Sequence, residues 1–248
     1  MATPTVPTAI ETLPLRSAED IFAGCSSAIA IAPHPDDESL GCGGAIALLR
    51  QCSIPVRILV VSDGTGSHPQ SQRYPAAELR KLRESETRLA ASRLGVAADA
   101  IAFWRWPDTA VPHPGTANFL AAVDCGRRYF RRYRPSLLFV PWRYDQHRDH
   151  RASWQIVQSC LEFCPQPPRQ LIYSIWGSRS GGLAALPAGE IGWRLDIRSV
   201  VATKRAAVMA HQSQTTALIE DDPNGFRLTP AMLTNLIQPW EIYLENTN

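Results

Sequence analysis

In the stretch IAIAPHPDDESLGCGG, Ile29 to Gly44, an apolar run ends at Pro33 and gives way to His34, Asp36, Asp37 and Glu38. Acids are almost never fully buried unless paired, so this cluster implies either a solvated turn or something positive beside it. His34 and Asp37 can each give one ligand to a divalent metal, through an imidazole nitrogen and a carboxylate oxygen. A catalytic zinc site takes three protein ligands and keeps a position open for water. The third can come from DQHRDH, where His147 and His150 lie three residues apart and Asp149 between them can accept an imidazole N–H. A cation also explains how Asp36 and Asp37 tolerate one another, because its charge outweighs their repulsion.

Those two segments need elements to bring them together, and the rhythm of the chain supplies them. Apolar, β-branched runs at 27–33, 56–64, 101–106 and 135–142 read as strands. Between them lie helix-like stretches at 41–52 and 76–96, the latter closed by Gly95, and a helix from about Thr116 to Tyr133. Strands alternating with helices predict an α/β fold, Rossmann-like, with a mostly parallel sheet and helices on both faces. Ligands of such folds bind beyond the carboxyl ends of the strands. PHPDDE, SDGTG, RWPD and PWRYDQHRDH follow the four strands in turn, so four polar clusters converge on one edge. In the last third, 171–177 and 192–197 read as strands, 178–190 as a loop and 199–214 as a helix. Residues 1–19 are rich in Pro and Thr and read as a flexible lead-in to a single domain spanning 20–248.

The 248 residues are 45% hydrophobic and 19% charged, enough apolar content for a sizeable core. A formal charge of +2 gives no reason to expect nucleic acid as a partner. The five arginines between Arg127 and Arg134 read as a solvated helix face. The six cysteines form no C-x-x-C pair and suit a reducing compartment. The N-terminus lacks the pattern of a secretory signal, and no apolar run reaches the ~18–20 residues that span a bilayer. The expectation is a cytoplasmic protein without a transmembrane segment.

PHPDDESLGCGG and QHRDH resemble the signature segments of the GlcNAc-phosphatidylinositol de-N-acetylase family (PIG-L, or LmbE-like) of zinc-dependent deacetylases. VSDGTG is similar to the family's second-strand segment, RESETRLAASRLGV to its R-x-x-E helix, and KRAAVMAHQSQ to its late K…H-x-S-Q helix. The matches keep the family's order from about Ala28 to Gln214. The resemblance implies a hydrolase that removes an N-acetyl group from an N-acetylglucosamine-type conjugate with metal-activated water. It implies His34, Asp37 and His150 as zinc ligands and Asp36 as general base. His147 becomes the acid or electrostatic stabiliser, with Asp149 favouring its charged form. Arg83 and Asp108 match places where relatives hold the sugar, and His211 either lines the pocket or packs a helix.

The same ligands would also take iron(II). Arg148 stands where many relatives have another residue and, at a pocket rim, would favour an anionic substrate. Asp145 occupies a position that is tyrosine in some sugar-conjugate deacetylases, with Tyr144 one place earlier. The competing expectation is a non-catalytic sugar- or nucleotide-binding Rossmann-like protein, but GCGG lacks the G-x-G-x-x-G fingerprint. The partner expected is a small amino-sugar conjugate, with homo-oligomerisation left open. Trp104, Trp106, Trp142 and Trp176 read as core and strand-end packing or as a sugar-stacking wall.

Overall fold

The apolar runs form a sheet and the helical stretches cross between its strands. The structure, a computed structural model, describes residues 8–177, 181, 183, 185–186 and 190–245. Its strands are β1 (Thr8–Ala9), β2 (Leu15–Arg16), β3 (Ala28–Ala32), β4 (Val56–Ser62), β5 (Ile101–Trp106), β6 (Leu137–Pro141), β7 (Arg169–Tyr173), β8 (Ala185–Leu186), β9 (Ile191–Asp196) and β10 (Trp240–Glu245). The helices are α1 (Ala18–Phe22), α2 (Asp37–Gln51), α3 (Ala76–Arg93), α4 (Phe119–Tyr133), α5 (Arg148–Leu161), α6 (Val201–Val208), α7 (Gln212–Thr215) and α8 (Pro230–Leu236). Eight strands make one sheet in the order β2-β9-β10-β7-β6-β3-β4-β5, and β1 pairs with β8. From β7 to β5 every pairing is parallel, with Ala30 of β3 opposite both Ile58 and Phe139.

Every residue of β3 is buried, as expected for a strand covered on both faces. Its side chains alternate between two cores. Ala28, Ala30 and Ala32 join the one built with α2, α3 and α6, whereas Ile29 and Ile31 join the one built with α4 and α5. The small side chains let α2 lie close to the sheet. Glycine extends this: a Cβ on Gly41 would run into the Tyr173 ring, and one on Gly44 would come within 2.7 Å of Ile197. The glycines of GCGG therefore serve helix–sheet packing, which leaves no cradle for a pyrophosphate.

The helix after β3 starts at Asp37, four residues before the stretch read as helical. It consists of two pieces joined at Cys42, whose φ/ψ of −141°/20° is not helical. The second piece begins inside the core, where its first N–H groups need acceptors. Glu241 of β10 provides them, accepting from Gly44 N at 2.7 Å and Ala45 N at 2.9 Å. Lys204 Nζ of α6 and the Tyr243 hydroxyl donate to the same carboxylate, each at 2.8 Å.

Three parts of the chain, the lead-in and the stretches 178–190 and 199–214, differ from expectation, and β10 adds to a sheet that is mostly parallel as expected. The lead-in is packed from Thr8 onward, residues 1–7 lying outside the described residues. Ile10 and Leu13 are buried beside Trp142, Ile172 and Leu244, and β2 pairs parallel to β9. Two isolated apolar anchors give no period to detect. The helix read over 199–214 is split into α6 and α7, and the 178–190 stretch holds β8, with much of it outside the described residues. β10, inserted antiparallel between β7 and β9, makes the sheet mixed. The arginines Arg128, Arg131, Arg132 and Arg134 are exposed, as a solvated face requires. Among the described residues no helix is long and apolar enough to cross a membrane.

Removing one partner of a buried ion pair leaves an uncompensated charge, at a cost of about 3–5 kcal/mol. Lys204→Met is expected to lower the unfolding free energy by about that amount. Urea titration checks it, and a loss under about 1 kcal/mol would contradict this role for the pair.

Candidate metal and active site

Four strand ends deliver the polar residues. His34, Asp36 and Asp37 bridge β3 to α2, Asp63 follows β4, Asp108 follows β5, and Asp145 to His150 join β6 to α5. The expected ligand set meets closely. His34 Nδ1, Asp37 Oδ2 and His150 Nε2 form a triangle with sides of 3.2, 3.1 and 3.3 Å. Tetrahedral zinc, with bonds of about 2.0–2.1 Å, places its donors roughly 3.3–3.4 Å apart. The donor set therefore fits a small divalent cation without rearrangement. His147 stands over it, its ring edge-on to that of His34 with centroids 4.5 Å apart.

The far side of each imidazole faces carboxylates. His34 Nε2 lies 3.2 Å from Asp108 Oδ1 and 3.3 Å from Asp149 Oδ2, and His150 Nδ1 lies 3.3 Å from Asp145 Oδ2. The Asp149 carboxylate thus faces the imidazole of His34, while its charge still favours protonation of His147 without a side-chain contact to it. Thr109 N at 2.7 Å fixes the same Asp149 oxygen. Asp145 is the residue that sequence reasoning missed. Its carboxylate also accepts from the backbone N–H of His147, Ile175 and Trp176 at 2.9, 3.2 and 2.9 Å. Nothing in DQHRDH distinguishes it from a surface turn acid. Such outer carboxylates orient ligand histidines and fix their tautomers.

Asp36, Asp37, Asp108, Asp145 and Asp149 are all buried here. The consequence shows in the proton affinities. Burial, the largest influence on both histidines, opposes protonation. It is outweighed by Asp108, Asp149 and Asp37 at His34, which is raised well above the usual imidazole range. Asp37 and Asp145 do the same at His150, raised to about 9. Burial would likewise raise Asp37, yet His150 and His34 hold it far below the carboxylate range. The centre calls for positive charge, and a metal would supply it while leaving the imidazoles neutral.

Asp36 is set apart from its neighbours. Burial, opposed by Arg83 and reinforced by Asp37, pushes its carboxyl up to about 7. Its φ of 142° lies where non-glycine residues are rare, a strain of about 1–3 kcal/mol that persists only when surroundings impose it. Arg83 and Glu38 impose it. Arg83 Nη2 donates to Pro35 O at 2.6 Å and Asp36 Oδ2 at 3.2 Å, and Nη1 to Gly64 O at 2.8 Å. Glu38 accepts from Asp36 N at 3.2 Å. Behind it His211 Nε2 lies 3.1 Å from Glu38 Oε1, so His211 belongs to a buried support and is not among the cleft's lining.

His147 N-caps α5, its Nδ1 accepting from Asp149 N at 3.2 Å. The transferable proton of the neutral ring is then on Nε2. Burial first, then His34 and His150, lower its pKa to about 4 against the pull of Asp149. The structure therefore favours a neutral His147, opposite to the charge expected from its acidic neighbour.

A cleft of about 430 Å³ opens over these residues. His34, Asp36, Asp37, Asp108 and His147 line it, as do Gln146, Trp176, Gln214, Phe226 and Met232. Of the four tryptophans named above only Trp176 is among them. Arg148 is exposed and absent from the lining, and Tyr144, 60% exposed, turns to the Trp142 ring. Arg83 lines the cleft with its guanidinium committed to Asp36 and the backbone. Asp108 is held by His34 and by Gly66 N at 2.9 Å.

The sheet, its crossovers and this cluster beyond the strand ends define an α/β protein of Rossmann-like build carrying a candidate metal site. Residues 29–161 match the family described as GlcNAc-PI de-N-acetylase, PIG-L, and the chain belongs to that family. It is 27% identical over 199 residues to the diacetylchitobiose deacetylase of Thermococcus kodakarensis, covering 78% of this chain and 72% of that protein. It is also 27% identical over 192 residues to a probable N-acetyl-α-D-glucosaminyl L-malate deacetylase 2 of Bacillus anthracis, covering 73% and 78%. Among solved structures, the N,N′-diacetylchitobiose deacetylase of Pyrococcus horikoshii in complex with its inhibitor MPG shares the fold, with a TM-score of 0.63 at 21% identity over 88% of each chain.

Loss of a carboxylate behind a ligand histidine typically weakens metal binding 10–100-fold. Asp145→Asn is accordingly expected to raise the zinc dissociation constant by about 10–100-fold while the fold is kept. Competition with a chromophoric chelator measures this, and unchanged affinity would remove Asp145 from the metal's support.

Proposed function

We propose that this chain is a metal-dependent N-deacetylase acting on an N-acetylglucosamine-type conjugate. The observation that carries the proposal is the donor triangle of His34, Asp37 and His150 with the strained, buried Asp36 beside it. Zinc is the cation those two imidazoles and one carboxylate suit best, with iron(II) the alternative. When bound, such a cation supplies acidification of water and polarisation of the acyl carbonyl. Membership of the family and the deacetylase activity named for both curated relatives support the reaction class.

The chain's own residues divide the remaining work. Asp36, held beside the donor triangle by Arg83 and not part of it, accepts the proton of the attacking water. Arg83 keeps the carboxylate aimed and limits how far burial raises its pKa. His147, fixed with its proton on Nε2, donates a hydrogen bond to charge developing on the acyl oxygen. The proton taken by Asp36 is then available for the departing amine. Asp108, on the cleft lining, steadies His34 through Oδ1, and its Oδ2, which accepts from Gly66 N, has a second lone pair for a sugar hydroxyl. All six cysteines are free, which supports a reducing, cytoplasmic setting.

Acetate release from N-acetylglucosamine derivatives should be abolished by a chelator and restored by zinc. Asp36→Ala is expected to lower kcat by about 10²–10⁴-fold, the usual worth of general acid–base catalysis, with stoichiometric metal retained. His147→Ala should lower kcat by about 10²-fold or more, also with metal retained. Chelator-insensitive release, or loss of metal in both variants, would overturn the assignment of roles.

A further inference from the structure

The cleft lining includes an apolar cluster that the chemistry of deacetylation does not use. The rings of Trp176 and Phe226 pack edge to face with centroids 5.7 Å apart, and Met232 lines the cleft with them. Phe226 remains 37% exposed, yet its segment is fastened firmly. Phe226 N donates to Ser67 O at 2.6 Å and Leu228 N to Gln214 O at 2.8 Å. Asp222 accepts from Gln70 N, and Asp221 from Gln72 N and Arg73 N, each at 2.8 Å. Trp176 N is held on Asp145. A large ring fixed at a cleft mouth leaves apolar surface in water, and covering that surface is favourable.

Charge points the same way. The one lysine or arginine lining the cleft among the described residues is Arg83, whose Nη groups are taken by Asp36, Pro35 and Gly64. A carboxylate or phosphate entering beside Asp36 and Asp108 would meet their negative charge, and among the described residues no lysine or arginine on the lining is left to pair with it. Resting on the deacetylase reading, we infer that the substrate presents an uncharged apolar group, aryl or alkyl, to Trp176, Phe226 and Met232. That group belongs either to the aglycone or to the N-acyl chain, and the same surface serves both.

The test compares kcat/KM, read as free amine formed, across two series. One keeps the acetyl group and varies the aglycone: free N-acetylglucosamine, its phenyl and octyl glycosides, a carboxylate-bearing malyl glycoside and diacetylchitobiose. The other keeps the free sugar and lengthens the acyl chain. An aryl or alkyl group is expected to raise kcat/KM about tenfold or more, the worth of burying part of such a group. In Phe226→Ala that preference should shrink toward unity. A gain in the first series alone puts the group on the aglycone, and a gain in the second alone puts it on the acyl chain. Equal rates throughout, higher rates for the malyl glycoside or chitobiose, or an undiminished preference in Phe226→Ala would overturn the inference. Calorimetry of phenyl N-acetylglucosaminide on the zinc-loaded protein separates this from failure of the reaction class. Tighter binding than the free sugar without turnover would uphold the apolar site and reject the deacetylase, whereas no binding preference would reject the apolar site whether or not amine is formed.

Discussion

Five carboxylates packed around two imidazoles at the floor of one cleft, with little exposure to water, set the terms for the rest of this molecule. Buried acids repel one another and are costly to desolvate. Asp36, Asp37, Asp108, Asp145 and Asp149 are nonetheless held together beneath one cleft. Arg83 answers one of them, and backbone N–H groups from Gly66, Thr109, Ile175 and Trp176 answer others. The balance falls on the histidines, whose raised proton affinities register the demand for a cation. In that light the strained Asp36, the linked pair Glu38 and His211 and the committed Arg83 are parts of one support for a concentrated negative charge.

The scaffold meets this demand through ordinary α/β geometry used with some unusual local pieces. Parallel strands end together, so loops far apart in sequence reach one spot. α2 must start immediately after β3 to present Asp37, yet must also lie flat against the sheet. The break at Cys42 reconciles the two, and the carboxylate of Glu241 then satisfies the exposed start of the second piece. Gly41 and Gly44 remove the side chains that would hold the helix away. The antiparallel β10 brings Glu241 to that break, which connects the last strand of the chain to the first segment of the site.

Much of this was legible in the sequence because it rests on short-range pattern. Apolar runs ending in polar clusters give the strands and the edge where they converge, and HPDD and HRDH give the two imidazoles and the carboxylate that meet as a candidate donor triangle. What escaped depends on distance. Asp145 is one acid among six polar residues until the fold sets it against His150. Asp149 faces His34, 115 positions away, and only the fold decides that pairing over the neighbouring His147. β10 carries charged residues inside its apolar pattern, because Glu241 is buried with a partner 37 positions away. Ile10 and Leu13 anchor the N-terminal segment without any period, and the place of Phe226 in the cleft follows from backbone bonds to Ser67 and Gln214.

The carboxylate of Asp145 touches two systems at once: the outer nitrogen of His150 and the backbone amides of Ile175 and Trp176. The candidate metal site and the cleft wall thus share a hinge pin at that point, while the Phe226 segment is bolted to separate atoms. This asymmetry governs how such a protein can diversify. Side chains at 226 and 232 can be exchanged to suit new substrates without disturbing the histidines. The main-chain path at 175–176 is locked to the chemistry, so only the side chain of Trp176 is free to drift.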